Sequence, residues 1–299
     1  MLKVLKKCKI CPRECNIDRL NGKIGNCKAS DKIEISLVSI HMFEEPCISG
    51  KNGSGTIFFS HCNLHCIFCQ NYEISQNIKK GKKVEIEELA NIMLKQQKNG
   101  AHNINLVTPT MYALHIKEAI KIAKEKGLII PIIYNSNGYE KVETLKDLEG
   151  YIDVYLPDLK YYSNELAEKY SKAPKYFEKA SKAILEMVRQ VGVPEFDENG
   201  IIKKGVMIRH LVLPNYIQNS KNILKWLKEN INEDIYINVM AQYFPTYKAM
   251  EDNLINRKLT RREYKQVEQY FYSLDFKNGY IQELGEHEEE YVPKWGNFK

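Results

Sequence analysis

No stretch of this chain is long and apolar enough to cross a bilayer. The longest apolar run is the eight residues from Gly127 to Tyr134, against the roughly 20 that a membrane helix needs. Mean hydropathy is −0.45. The N-terminus, Met1-Leu2-Lys3-Val4-Leu5-Lys6-Lys7-Cys8, is broken by lysines and has no signal-peptide core. Secretion is therefore not expected, and the cytoplasm is the expected compartment. Proline and glycine, at 10 and 16 residues, are too few for a collagenous or low-complexity chain. Neither charge sign dominates, since 44 Lys and Arg against 38 Asp and Glu leave +6. What remains is a globular composition of 299 residues, 43% hydrophobic and 27% charged. That length buries a large core without disulfide or metal staples. It accommodates one α/β domain of about 250 residues with a small extra module, or two ordinary domains.

The positive charge is unevenly placed. Residues 1–32 hold nine Lys and Arg against three Asp and Glu. A basic stretch can face nucleic acid or simply be solvated, but four cysteines lie inside this one. A four-thiolate metal centre carries negative charge that nearby lysines and arginines would offset.

Cysteine is the residue in excess. The eight are Cys8, Cys11, Cys15, Cys27, Cys47, Cys62, Cys66 and Cys69. Disulfides suit small secreted chains, whereas clustered thiols in a reducing compartment point to metal binding or redox chemistry. The first group, Cys8-x2-Cys11-x3-Cys15-x11-Cys27, has turn glycines at Gly22 and Gly25. It reads as a closed four-thiolate site for zinc or an auxiliary iron–sulfur cluster, and spacing does not choose between them. Cys47 stands apart and reads as a small buried side chain.

The second group is Cys62-Asn63-Leu64-His65-Cys66-Ile67-Phe68-Cys69. Three thiolates on one loop can hold three irons of a 4Fe–4S cluster, and no fourth cysteine completes the set downstream. The iron left without a protein ligand is an open coordination site. The spacing by itself also fits a zinc knuckle or buried thiols. The preceding run Gly55-Thr56-Ile57-Phe58-Phe59-Ser60 reads as a short buried strand. The loop then falls at the carboxyl end of a strand, where α/β folds place ligands.

Beyond it, helix and strand patterns alternate. Strands are expected at 56–60, 103–107, 128–134, 151–156, 206–213 and 235–239. Helices are expected at 85–98, 112–126, 140–148, 175–190, 221–229 and 260–273. Residues 193–204 read as a polar loop, and the acidic run 286–290 as a solvated face. Six βα units imply a parallel sheet with crossover helices, too few for a closed eightfold barrel. The expected architecture is a Cys-rich module over 1–50 and a partial (β/α)6 barrel with a C-terminal extension over 51–299. Candidate site residues follow the strands: Thr108-Pro109-Thr110, Asn135-Ser136-Asn137, Asp158-Leu159-Lys160, Arg209-His210 and Gln242-Tyr243.

The triad after its strand, with Phe68 before the last cysteine, resembles the radical S-adenosylmethionine (SAM) superfamily. Further stretches resemble its glycyl-radical-enzyme activating branch, the pyruvate formate-lyase activating enzyme-like proteins. They are Ile10-Cys11-Pro12-Arg13, Glu44-Glu45-Pro46, Cys69-Gln70-Asn71-Tyr72, Asn105 to Thr110, Asp158-Leu159-Lys160 and Arg209 to Pro214. Together they span about residues 8–250. The resemblance implies a 4Fe–4S cluster on Cys62, Cys66 and Cys69, with SAM chelating the open iron. It implies reductive cleavage of SAM to methionine and a 5′-deoxyadenosyl radical that abstracts hydrogen. By resemblance Phe68, Asn135, Ser136 and Asn137 lie near SAM, and Asp158 and Lys160 match the branch's Asp-x-Lys element. Arg209 pairs with the SAM carboxylate, as its forked donors allow. The usual Gly-Gly-Glu contact to the SAM amino group is replaced by Thr108-Pro109-Thr110, so that contact is altered here.

A cluster of this kind implies a flavodoxin- or ferredoxin-like electron donor. The target implied is a backbone glycine of a partner glycyl-radical enzyme. The alternative target is a peptide, cofactor precursor or small metabolite. A remote third reading, a zinc- or cluster-bearing nucleic-acid-binding module, leaves the open triad in a long βα array unexplained. Membrane partners are not expected.

Overall fold

In a computed structural model the chain is described over residues 2–76, 81–231 and 234–285. The acidic run at 286–290 lies outside these residues. Among them no helix is long and apolar enough to cross a membrane.

The strands are β1 (Ile33–His41), β2 (Ser54–Phe59), β3 (Lys82–Val84), β4 (Ile104–Val107), β5 (Ile132–Ser136), β6 (Val154–Pro157), β7 (Glu195–Phe196), β8 (Ile202–Leu211), β9 (Tyr236–Met240) and β10 (Gly279–Ile281). The helices are α1 (Pro46–Ser49), α2 (Tyr72–Ser75), α3 (Ile86–Lys98), α4 (Ala113–Glu125), α5 (Val142–Asp147), α6 (Asn164–Ser171), α7 (Tyr176–Val191), α8 (Ile217–Asn230) and α9 (Arg261–Ser273). The six expected strands are β2, β4, β5, β6, β8 and β9. They pair in parallel and in chain order, which makes the partial α/β barrel.

Both edges carry strands that the βα pattern did not announce. β1 pairs antiparallel with β2, and β3 pairs antiparallel with β1. β10 extends the far edge in parallel with β9. β1 is rich in β-branched residues and buries Ile33 and Ile35, so residues 33–41 belong to the sheet. The polar stretch 193–204 is not simply a loop. Glu195 and Phe196 pair antiparallel with the start of β8. β5 begins at Ile132 rather than at 128, because Pro131 has no N–H to give a ladder and Ile129 lies exposed.

The period of two along each strand divides the sheet into two faces. Ile132, Tyr134, Tyr155, Val206, Ile208, Ile237 and Val239 belong to the large core cluster that also holds helix residues such as Leu89, Ile116, Ile184 and Leu224. The intervening residues Ile133, Val154, Leu156 and Met207 form a second cluster with Cys47 and Ile48 of α1. The short helix α1 therefore plugs the concave side. Asn105, Asn135, Arg209 and Asn238 have the strand parity of that concave side. Four polar residues on the hollow of a buried sheet need partners, and they mark where the chemistry lies.

A helix the pattern missed, α6, is begun by Ser163, whose side chain accepts from the Leu166 N–H. Such a cap is worth about 1 kcal/mol. Its last residue, Ser171, enters the site.

Candidate active site

β2 delivers the chain to Ser60 and then to His61, which adopts φ 76°. That left-handed residue turns the loop over the end of the sheet. The cysteine loop is hung from α6, since the His65 N–H donates to the Ser171 carbonyl at 3.0 Å and the Ile67 N–H to the Tyr170 carbonyl at 2.9 Å. Asn63 is fully buried and donates through Nδ2 to the Tyr139 carbonyl at 2.7 Å.

Each of the three sulfurs meets a polar side chain. Asn137 Nδ2 donates to Cys62 Sγ at 3.3 Å, and Ser171 Oγ donates to Cys66 Sγ at 2.9 Å. Cys69 Sγ lies 3.3 Å from Ser75 Oγ. Burial pushes all three thiols up, Cys69 to about 11. As free thiols they stay neutral at physiological pH, so a metal must displace their protons. Hydrogen bonds aimed at sulfur are the contacts that stabilise thiolates on iron and tune the potential of a cluster. Among the described residues no three His, Cys, Asp or Glu side chains converge on a single metal ion. A cluster asks for something else, because each cysteine binds a different iron.

The three cysteines open onto a cavity of about 240 Å³. Of the residues expected near SAM, Phe68, Thr108, Asn135, Ser136, Asn137, Asp158, Lys160 and Arg209 line it. Thr110 does not. It opens a 3-10 turn, is fully buried, and directs its hydroxyl to Glu140 Oε1 at 2.5 Å. The chain turns at Thr108, φ 58°, and the alternation carries Thr110 below the cavity floor. Asn137 lines the cavity with its side chain already engaged. Its Nδ2 holds Cys62 and Asn63 Oδ1, and its Oδ1 accepts the Tyr139 N–H. His210, one residue past Arg209, points the other way, to the Leu159 carbonyl and Ser220.

A charged group occupies the wall. Arg209 donates from Nε to Asp158 at 3.1 Å, from Nη2 to Asn135 Oδ1 at 2.6 Å and from Nη1 to Glu44 at 3.4 Å. Lys160 Nζ donates to the other Asp158 oxygen at 2.7 Å. Burial works against the Asp158 charge, but Lys160 and Arg209 outweigh it and hold the carboxyl below its usual range. Glu44 is different. Burial pushes it up to about 7 despite Arg209. Lys160 and Arg209 thus place two cations on this wall, facing the thiols, and burial weakens the Glu44 charge set against them.

Glu44, part of the Glu44-Glu45-Pro46 stretch, is a site residue that the strand-end pattern does not point to. Glu44 also accepts from Asn105 at 3.0 Å, and Glu45 from Asn238 at 2.7 Å. The adjacent carboxylates before a Pro-started helix were the available signal. Gln242, named after the sixth strand, lines the cavity, and its carbonyl accepts from Gln70. Tyr243 is buried and bonds the Ile255 carbonyl.

The remaining cysteines lie elsewhere. Cys8, Cys11, Cys15 and Cys27 share the lining of one small cavity of about 10 Å³. Cys47 is buried in α1, and burial pushes its thiol up to about 11. All eight cysteines are unpaired.

A sulfur triad at the C-terminal end of the first parallel strand of an open α/β barrel defines a class, and comparison with known proteins agrees. The family described as the Radical SAM superfamily matches residues 56–227. The chain belongs to the radical SAM superfamily, an enzyme family whose members imply a 4Fe–4S cluster, SAM and a reductant. It is 33% identical to the uncharacterized protein MJ0674 of Methanocaldococcus jannaschii, over 87% of this chain and 72% of that one. Among solved structures it resembles SuiB of Streptococcus suis bound to the precursor peptide SuiA, with TM-score 0.50 and 15% identity over 74% of this chain and 46% of SuiB. It likewise resembles HydG, a maturase of the [FeFe]-hydrogenase, with TM-score 0.50 and 15% identity over 77% of this chain and 52% of HydG. The chain thus spans about half the length of either structure, and at such identities the likeness is one of fold.

Proposed function

We propose that Cys62, Cys66 and Cys69 hold a 4Fe–4S cluster with one iron open, and that SAM occupies the rest of the 240 Å³ cavity. The observation that carries this reading is the convergence of the three thiols and eight polar or aromatic candidates on one cavity. The donor set fits, since each sulfur has a polar neighbour ready for a thiolate. When bound, the cluster supplies the electron that cleaves SAM to methionine and a 5′-deoxyadenosyl radical.

The chain's own residues bind and orient. Lys160 and Arg209 give the wall the positive charge that the SAM carboxylate and a cluster of thiolates require. A guanidinium has five N–H donors, and Arg209 spends three on Asp158, Asn135 and Glu44, leaving two for SAM. Asp158 keeps both cations in place. Thr108, in its left-handed turn, and Ser136 border the cavity where the usual acidic amino-group contact is missing. Asn137 acts on the sulfur rather than on SAM. Phe68, packed edge-on against Tyr243 with ring centres 5.9 Å apart, shields the cluster side from water.

For the target, the quoted motifs support hydrogen abstraction from the glycine of a partner enzyme, with electrons from a flavodoxin- or ferredoxin-like protein. A peptide substrate is the second reading, favoured by the likeness of fold to SuiB with its precursor peptide. In either reading residues 1–50 serve as a Cys-rich accessory to the barrel.

The test is anaerobic reconstitution followed by reduction with SAM. The wild-type chain should carry about four irons at the triad and release methionine and 5′-deoxyadenosine. Cys62→Ala, Cys66→Ala or Cys69→Ala should each abolish both. Wild-type turnover in any one of them refutes the cluster assignment.

A further inference from the structure

The four N-terminal thiols need not repeat the chemistry of the triad. We infer that Cys8, Cys11, Cys15 and Cys27 form a closed four-thiolate site for a single zinc-class divalent ion, with Arg19 as its buried counter-charge. The inference rests on the radical SAM reading only in assigning the other three cysteines to a different centre.

Size is the first argument. The cavity the four thiols share is about 10 Å³, room for one water-sized sphere. The triad, by contrast, faces about 240 Å³, so the smaller N-terminal space favours a single ion over a cluster. Gly25 makes even this space available, since a Cβ there would stand 3.0 Å from Cys15 Sγ.

The second argument is Arg19. It is 1% exposed, and a guanidinium keeps its charge in any protein environment. Its Nε donates to the Ser30 carbonyl at 3.0 Å, and its Nη2 to the same oxygen. Its Nη1 reaches the Met111 carbonyl at 3.0 Å and Cys8 Sγ at 3.9 Å. Among the described residues it makes no ion pair with a carboxylate. A buried charge without a counter-ion is strongly unfavourable. Four thiolates around a divalent ion carry two net negative charges, and Arg19 lies against them. Neutral thiols would leave it unbalanced.

The backbone is also set for thiolates. The Asn26 N–H donates to Cys15 Sγ at 3.4 Å. The side chains have yet to close on one point, so closure accompanies binding, as is usual for such sites.

The position gives the site a role. Arg13 donates to the Asn63 carbonyl at 2.8 Å, and His65 Nε2 lies 2.8 Å from Asn26 Oδ1. The knuckle thus abuts the triad's own loop.

The experiment uses the full chain with Cys62, Cys66 and Cys69 all changed to Ala, so that the four N-terminal thiols and the buried Cys47 are the only ones left. Purified without oxygen, it should retain about one zinc per chain and no sulfide. Exchange with cobalt(II) should give thiolate-to-cobalt charge transfer and the spectrum of a tetrahedral ion. In the same background Arg19→Met should lose zinc to a chelator at least about 10-fold more readily, while Arg19→Lys stays near the parent. Iron with sulfide in the triad-free chain, or no metal at all, overturns the site. Unchanged zinc retention in Arg19→Met overturns the counter-charge. If Arg19→Met does not fold, the metal content of the triad-free chain and Arg19→Lys still decide. Failure of the wild-type chain to take up iron would instead sink the cluster assignment at the triad and leave this zinc untouched.

Discussion

Ser171→Ala separates what holds the fold from what would tune the proposed cluster. The Ser171 hydroxyl has one proton, and it goes to Cys66 Sγ at 2.9 Å. The Tyr161 hydroxyl, 2.7 Å from Ser171 Oγ, must then donate to Ser171, which makes a relay from Tyr161 through Ser171 to the sulfur. A hydrogen bond to a charged acceptor contributes about 1.5–3 kcal/mol. Reduction adds negative charge to the sulfurs and strengthens that bond. If about 1 kcal/mol is gained only on reduction, the one-electron relation of about 60 mV per tenfold gives about 40 mV. The variant's cluster should therefore be harder to reduce by about that amount, read by potentiometric titration under electron paramagnetic resonance. Stability should fall as well, by about 1–3 kcal/mol, because the buried Tyr161 hydroxyl loses its acceptor. Adding Tyr161→Phe should restore stability and leave the potential low, and Tyr161→Phe alone should move the potential less. An unchanged or higher potential in Ser171→Ala, with iron content intact, refutes the reasoning.

Glu140 provides a pH test. Among the described residues no cation pairs with it, and burial pushes it up to about 8 although Thr110 and Tyr134 bond it. The fold keeps its proton while the unfolded chain loses it near 4.5. Its contribution is therefore full below about 4.5 and is lost as pH rises through about 8. At about 1.4 kcal/mol per pH unit that loss is at most about 5 kcal/mol. Glu140→Gln should flatten the stability–pH profile across that window, measured by urea unfolding, and parallel profiles would return Glu140 to an ordinary ionised role. Arg209→Met should destabilise the chain by about 3–5 kcal/mol, because Asp158 and Glu44 lose a buried partner. It should also weaken SAM binding about 10- to 100-fold, read by equilibrium titration. Unchanged affinity would make Arg209 a purely structural residue.

The triad's place on one loop was legible in the sequence because its three cysteines are a local pattern, fixed by spacing. The six parallel strands were legible for a related reason, since each βα unit carries its own apolar period. Strand ends then pointed to Thr108, Asn135, Asp158 and Arg209 without any contact being known. Local spacing carried no information on the edges. β1 and β10 join the sheet through partners that only the assembled barrel supplies, and α6 was missed although Ser163 signals its start.

Tertiary structure decided the rest, because charge and burial depend on neighbours distant in the chain. Arg209 is joined to Asp158 and Glu44 across 51 and 165 positions. Thr110 is turned from the cavity to Glu140 by the left-handed residue two before it. Arg19, one basic residue among nine in the opening stretch, is set apart by burial, 1% exposed with Cys8 Sγ at 3.9 Å. Sequence fixes which groups can ionise and which can ligate. Folding fixes which of them must, because a charge taken from water has to find its partner wherever the chain has brought one.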